Sequence, residues 1–157
     1  SLNFAIFPLY TFWQREYFTI LTSMRTKARE TLFKILFSSQ FVKPIDRSFR
    51  TGMYKAGELN EDDVKYCDKL LALVEEHAGD ITAVIDKKSV AFPEARLFPA
   101  DRSILFIAVA EILYCDDVPD KVAASEAANL AARYSSEKSA QFVSGILSSV
   151  IADKGAV

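Results

Sequence analysis

The stretch spanning residues 101–114, DRSILFIAVAEILY, constrains the fold more than any other part of this chain. Ile104, Leu105, Ile107, Ala108, Val109, Ile112 and Leu113 fall on almost every side of a helix and leave little polar beyond Glu111. A helix that is apolar all round has to be enclosed by other elements. This segment is therefore expected to be the central rod of the fold. At 157 residues the chain is long enough for one domain with a real core, burying roughly two-thirds of its unfolded surface.

The remaining apolar residues also recur at helical spacing. Over residues 26–41, Ala28, Leu32, Ile35, Leu36 and Ser39 form a stripe that Phe33 and Phe37 widen. Residues 44–60 contain Gly52 and Gly57 and read as a short helix within a loop. Asn60 with Asp63 three residues on is an N-cap signature. The helix it opens carries Val64, Cys67, Leu70, Leu71 and Val74 and is expected to end near Gly79, with a shorter helix over 80–88. Ala123, Ala127, Leu130, Ala131 and Tyr134 line a helix whose small side chains permit close approach of a neighbour. The last helix, over 136–151, buries Phe142, Val143, Ile146, Leu147 and Val150. Its Gly145 costs about 1 kcal/mol relative to alanine and predicts a tight helix crossing. No strand pattern and no repeat occurs, so the fold class is all-α. Periodicity identifies these helices but not how they pack.

The formal charge of −2 conceals an asymmetry. Residues 24–55 hold eight bases against two acids, a net +6. Such a segment suits a polyanion, and a solvated helix face gives the same run. Cys67 and Cys115 stand far apart beside a single histidine, His77, so neither a disulfide framework nor a zinc site is indicated and a cytoplasmic location fits. Residues 1–23 are aromatic-rich, but Pro8 and the Arg15-Glu16 pair interrupt the run well short of the ~20 apolar residues a membrane span needs. They read as an extension docking its aromatics on the domain or as read-through from upstream, with the second favoured; the domain proper is expected to cover 24–157.

No enzymatic constellation is present. His77 near a helix end is more often a solvated or capping residue than a base. The two cysteines lie in apolar stretches and read as inert core thiols. Asp116-Asp117 lacks further oxygen ligands at any metal-binding spacing, and no glycine-rich phosphate loop occurs. No cofactor is expected. The nucleic-acid candidates are Arg25, Lys27 and Arg29 at the start of the first helix. Positive side chains there sit at the unfavourable end of the helix dipole unless an anion arrives. The alternative is a solubilising end.

Residues 92–150 carry a second kind of information. Arg96-Leu97, Asp101-Arg102, Ile104-Leu105, Ile107-Ala108-Val109, Glu111, Pro119, Lys121-Val122-Ala123, Glu126-Ala127, Leu130-Ala131, Ser139, Phe142-Val143, Gly145 and Leu147 match, in order and spacing, the pattern of another set of proteins. In these residues the chain resembles the transcription antitermination family NusB. The resemblance implies about seven helices in two packed helical subdomains and a non-catalytic role. It implies binding of single-stranded boxA RNA together with NusE, a small-subunit ribosomal protein. It further implies support of RNA polymerase against termination in ribosomal RNA synthesis.

By the same resemblance Arg102 and Lys121 join Arg25, Lys27 and Arg29 in the RNA-binding set and Asp101 is a partner-binding candidate, while Lys138 is added because a lysine at the edge of the last helix strengthens attraction for phosphate. Lys138 stands where many relatives carry an acid, Phe106 where they carry arginine, Ala110 where they carry tyrosine, and Ser125 and Ser144 where they carry asparagine. Glu126, on a helix packed by alanines, reads as a buried, partnered carboxylate that fixes register. Tyr134 and Phe37 are candidate stacking residues, though aromatics at such positions are more often core. Two alternatives stand beside this reading. One is a protein-interaction module that has lost RNA binding; the other is a stand-alone relative of the RNA-binding domain of ribosomal RNA cytosine methyltransferases.

Overall fold

A computed structural model describes residues 25–40, 45–90 and 97–156. These form seven α-helices and no strand among the described residues. They are α1 (Thr26–Ser39), α2 (Arg47–Ala56), α3 (Glu61–Glu76), α4 (Ala78–Lys88), α5 (Pro99–Tyr114), α6 (Asp120–Tyr134) and α7 (Glu137–Gly155). Residues 1–24, with the aromatic segment, and the Arg96 of the matched pattern lie outside the described residues.

The apolar helix is the axis of the molecule. α5 starts with Pro99 in its first turn, where a missing N–H is harmless. It touches α1, α3, α4, α6 and α7, and those five close a ring in the order α1, α3, α4, α7, α6. Ile104, Leu105, Val109, Ala110 and Ile112 are all but sealed from solvent. At about 1.5–3 kcal/mol for each fully buried large aliphatic side chain, this enclosure is the dominant favourable contribution. α2 is left outside the ring, resting mainly on α1.

Local chemistry sets the helix ends. Asn60 and Asp63 form a reciprocal capping box at the start of α3. Asp46 caps α2 by accepting from the Phe49 N–H, and Ser136 caps α7 by accepting from the Ser139 N–H. α3 stops at Glu76, earlier than Gly79, because His77 leaves helical geometry and starts α4 in the same step. Its ring stacks on Tyr114 at 3.8 Å, which fixes the corner against α5. Gly145 departs from expectation. A Cβ there would meet open space, so no close crossing requires it and nothing in the structure explains the glycine.

The direction of the rods follows from polar ties. Gln40, at the end of α1, donates to the Pro99 carbonyl (3.0 Å) and the Ser103 hydroxyl (2.6 Å) at the start of α5. α1 is therefore antiparallel to α5. α6 runs parallel to α1, with Thr26 beside Glu126 and Phe33 beside Tyr134.

Candidate nucleic-acid interface

Glu111, in the last turn of the α5 rod, is sealed inside the bundle. An unpaired buried carboxylate costs several kcal/mol, more than any surface role of a nearby arginine repays. Arg29 turns inward to meet it. Its Nε donates to Glu111 Oε1 at 2.9 Å and Oε2 at 3.2 Å, and its Nη2 donates to Oε2 at 3.0 Å. Glu126 lies 3.7 Å from Nη1 and accepts from the Thr26 hydroxyl at 3.1 Å, so it is the buried, partnered carboxylate that its helix led one to expect. Burial works against the Arg29 charge, but the hydrogen bonds and charge of Glu111, reinforced by Tyr66 and Glu126, outweigh it and raise the pKa further. At 2 % exposure Arg29 is withdrawn from any RNA-binding set. That corrects the sequence expectation for this residue.

The other five cations are at the surface in two groups. Arg25 and Lys27 stand at the start of α1; Lys121 opens α6, four residues beyond Asp117, the partner of Arg25. Arg102 and Lys138 belong to the starts of α5 and α7, which the Asp101–Ser139 hydrogen bond ties together at the opposite end. The 14-residue α1 separates the ends by about 20 Å. The RNA-binding set therefore does not form one cluster.

At the first end, Arg25 is one-third exposed, pairs with Asp117 at 3.1 Å and lies 4.4 Å over the Tyr66 ring. Lys27 is exposed. Both line a cleft that also holds Lys65 and Lys69 of α3, two bases that sequence reasoning missed. Their i,i+4 spacing was the available signal, but on a helix opening Glu61-Asp62-Asp63 it looks like an ordinary solvated face. Asp117 takes Lys69 as well as Arg25.

Between the ends, the α1–α6 seam carries an aromatic cluster. Phe33 is buried and is flanked by Phe37 at 5.8 Å and Tyr134 at 4.8 Å, each 36 % exposed. Lys34 and Arg133 stand beside it, both drawn to Glu30, which also accepts from the Tyr134 hydroxyl.

At the second end, Arg102 lies 5.6 Å over the Phe106 ring. Lys138 is exposed at the rim of a cleft walled by Leu97, Phe98 and Phe142. Phe98 is 72 % exposed. Asp101 lies at the base of this cleft; its Oδ2 accepts from Ser139 at 3.0 Å, and among the described residues its buried Oδ1 has no hydrogen-bond partner. Ser125 is exposed and Ser144 half-buried. Among the described residues no group of three or more His, Cys, Asp or Glu side chains could hold a metal ion, and no helix is long and apolar enough to cross a membrane.

Comparison with known proteins supplies the remaining link. A solved structure of antitermination factors NusB and NusE in complex with dsRNA shares the fold with a TM-score of 0.75 at 23% identity, over 83% of this chain and 98% of that one. The transcription antitermination protein NusB of Agathobacter rectalis is 33% identical over 125 residues, 78% of this chain and 95% of that protein. The protein of the same name from a Nocardioides species is 36% identical over 137 residues, 84% of this chain and 96% of that one. Residues 26–152 match the model of the NusB family, covering all seven helices almost completely, and the chain belongs to that family.

Proposed function

We propose that the protein is a non-catalytic transcription antitermination factor that carries single-stranded boxA-like RNA along the α1–α6 seam and joins NusE in the complex that helps RNA polymerase through ribosomal RNA genes. Family membership supports the antitermination role, and the neighbour described as a complex of NusB, NusE and RNA supports RNA and NusE as the partner classes. The observation that carries the RNA reading is the seam itself. Cations stand at both ends, Arg25, Lys27 and Lys121 at one and Arg102 and Lys138 at the other, with half-exposed Phe37 and Tyr134 between them. Lysines and arginines would neutralise phosphates while aromatic faces accept unpaired bases.

The cleft over Asp101 suits a protein partner. Its apolar walls and exposed Phe98 offer area for a docking segment, above the buried Asp101–Ser139 tie that holds the starts of α5 and α7 together. NusE is assigned there. Withdrawal of Arg29 is the observation that favours the second reading, a protein-interaction module without RNA. Anisotropy with a boxA oligonucleotide, with and without NusE, at two ionic strengths, separates the two. RNA binding whose affinity falls with salt at a log–log slope of about −0.7 per phosphate contact supports the first reading. Binding of NusE alone supports the second. Lys138→Glu is expected to weaken the RNA complex; unchanged affinity removes Lys138 from the interface.

A further inference from the structure

Outside the helical ring, α2 carries Arg47, Arg50 and Lys55 and no acidic residue. These bases are not scattered. Arg47, Arg50, Thr51, Tyr54 and Lys55 follow the i, i+3, i+4, i+7, i+8 stripe of one helix face, and all five line a groove against Val64 and Asp68 of α3. Tyr54 supplies an aromatic wall, held by its hydroxyl donating to Asp68 at 2.7 Å. Arg50 faces the same Asp68 at a loose 3.7 Å, with both side chains partly in water. An exposed pair of that kind yields readily to a phosphate. Arg47 and Lys55 are exposed and form no ion pair among the described residues.

The groove does not stand alone. Glu58 lines both this groove and the cleft of Arg25, Lys27, Lys65 and Lys69, so the two depressions adjoin. Glu58 has φ 53°, a left-handed conformation at the turn from α2 into α3. That turn places the basic stripe of α2 beside the start of α1.

We propose that the α2–α3 groove is a second phosphate-binding track, along which a single-stranded RNA held at the Arg25/Lys27 end continues across Arg47, Arg50 and Lys55. This rests on the RNA reading above and adds to it a footprint longer than the α1–α6 seam. The first cleft is charge-balanced, with four bases and four acids in its lining, so it serves as passage, and the gain in affinity comes from α2.

The test compares a short boxA-like RNA with the same RNA lengthened by a uridine tract at either end, by anisotropy at two ionic strengths. For the native protein one of the extensions should tighten binding about tenfold and steepen the salt slope by about 2, the value for three phosphate contacts on a single strand. The triple variant Arg47→Gln, Arg50→Gln, Lys55→Gln should bind the short RNA as the native protein does and lose that gain. The double variant Arg47→Gln, Lys55→Gln leaves the Arg50–Asp68 pair in place and should lose most of it, which guards against a folding defect. Equal affinity for short and long RNA, or a gain kept by the triple variant, overturns the track and leaves the RNA reading standing. Failure of the native protein to bind even the short RNA overturns both. A gain with polyglutamate in place of the uridine tract would assign the groove to an acidic protein and overturn the proposal.

Discussion

Arg29 and Glu111, 82 residues apart in sequence, form a two-pronged ion pair inside the helical ring. The pair links the basic first helix to the central rod. Arg29→Met leaves Glu111 charged and unpaired in the interior, and a loss of about 3–5 kcal/mol is expected in urea unfolding. Adding Glu111→Leu removes the stranded charge and should recover most of that loss. A double variant as unstable as the single one would show that the arginine contributes by packing alone.

Arg25 and Asp117 offer the opposite case, an ion pair at the surface. Burial raises the Asp117 pKa, but the hydrogen bond and charge of Arg25, with Lys69, outweigh it and hold the carboxyl below its ordinary range. An exposed pair contributes about 0–1 kcal/mol, so Asp117→Asn should leave stability nearly unchanged. It frees Arg25 and Lys69 for phosphate, and RNA affinity at low salt should rise severalfold. Lys27→Gln should lower that affinity and reduce the salt slope by about 0.7. Asp117→Asn weakening RNA binding would mean that the aspartate positions Arg25 for its contact.

The central rod could be read from the sequence because an all-apolar helix has only one possible environment. The Asn60–Asp63 cap was legible too, since both partners lie within one turn. Glu111 was visible as the one polar residue in the rod's apolar run over 104–113, but its partner was not. Pairing across 82 residues depends on which end of α1 meets which end of α5, and apolar periodicity carries no rod direction. The same gap concealed the division of the cations between two ends, and it let Arg29 pass as a surface residue beside Lys27. Lys65 and Lys69 escaped because a charged i,i+4 pair looks identical on a solvated face and beside a binding cleft.

Gly57 caps the C-terminal end of α2 against α1. A Cβ there would overlap the Oγ1 of Thr31, a buried residue, and lie 3.4 Å from the Met53 carbonyl. Its φ of −80° is open to any residue, so the requirement is for space alone. Gly57→Ala should cost about 1–3 kcal/mol. In a double-mutant cycle Thr31→Ala should make the second change cheaper by a measurable coupling. Strict additivity would place the strain elsewhere.

Cys67 and Cys115 are buried and free. Burial, with the charges of Asp63 and Asp68, pushes the Cys67 thiol up to about 12, and burial raises that of Cys115 as well. Thiolate is the reactive form. Native protein at mildly alkaline pH should resist a disulfide reagent, and both thiols should react in denaturant. Rapid labelling of Cys67 in the native state would contradict the packing of α3 against α1, where its thiol faces the Ala28 carbonyl.

Tyr134 donates its hydroxyl to Glu30 across the α1–α6 seam. That hydrogen bond lowers the Glu30 pKa; burial opposes it, and the charges of Lys34 and Arg133 add to it. A carboxylate with a depressed folded pKa contributes stability that is present above its unfolded pKa and lost as pH falls through the folded one. Tyr134→Phe should therefore cost about 1 kcal/mol at neutral pH, a value discounted from that of a buried charged hydrogen bond because the seam is solvated. The deficit should shrink as pH drops below the ordinary glutamate range, where native and variant proteins both carry a neutral Glu30. Urea unfolding of the two proteins across that interval measures it. A deficit constant with pH would show that the hydroxyl acts through packing, leaving Arg133 as the α6 partner of Glu30.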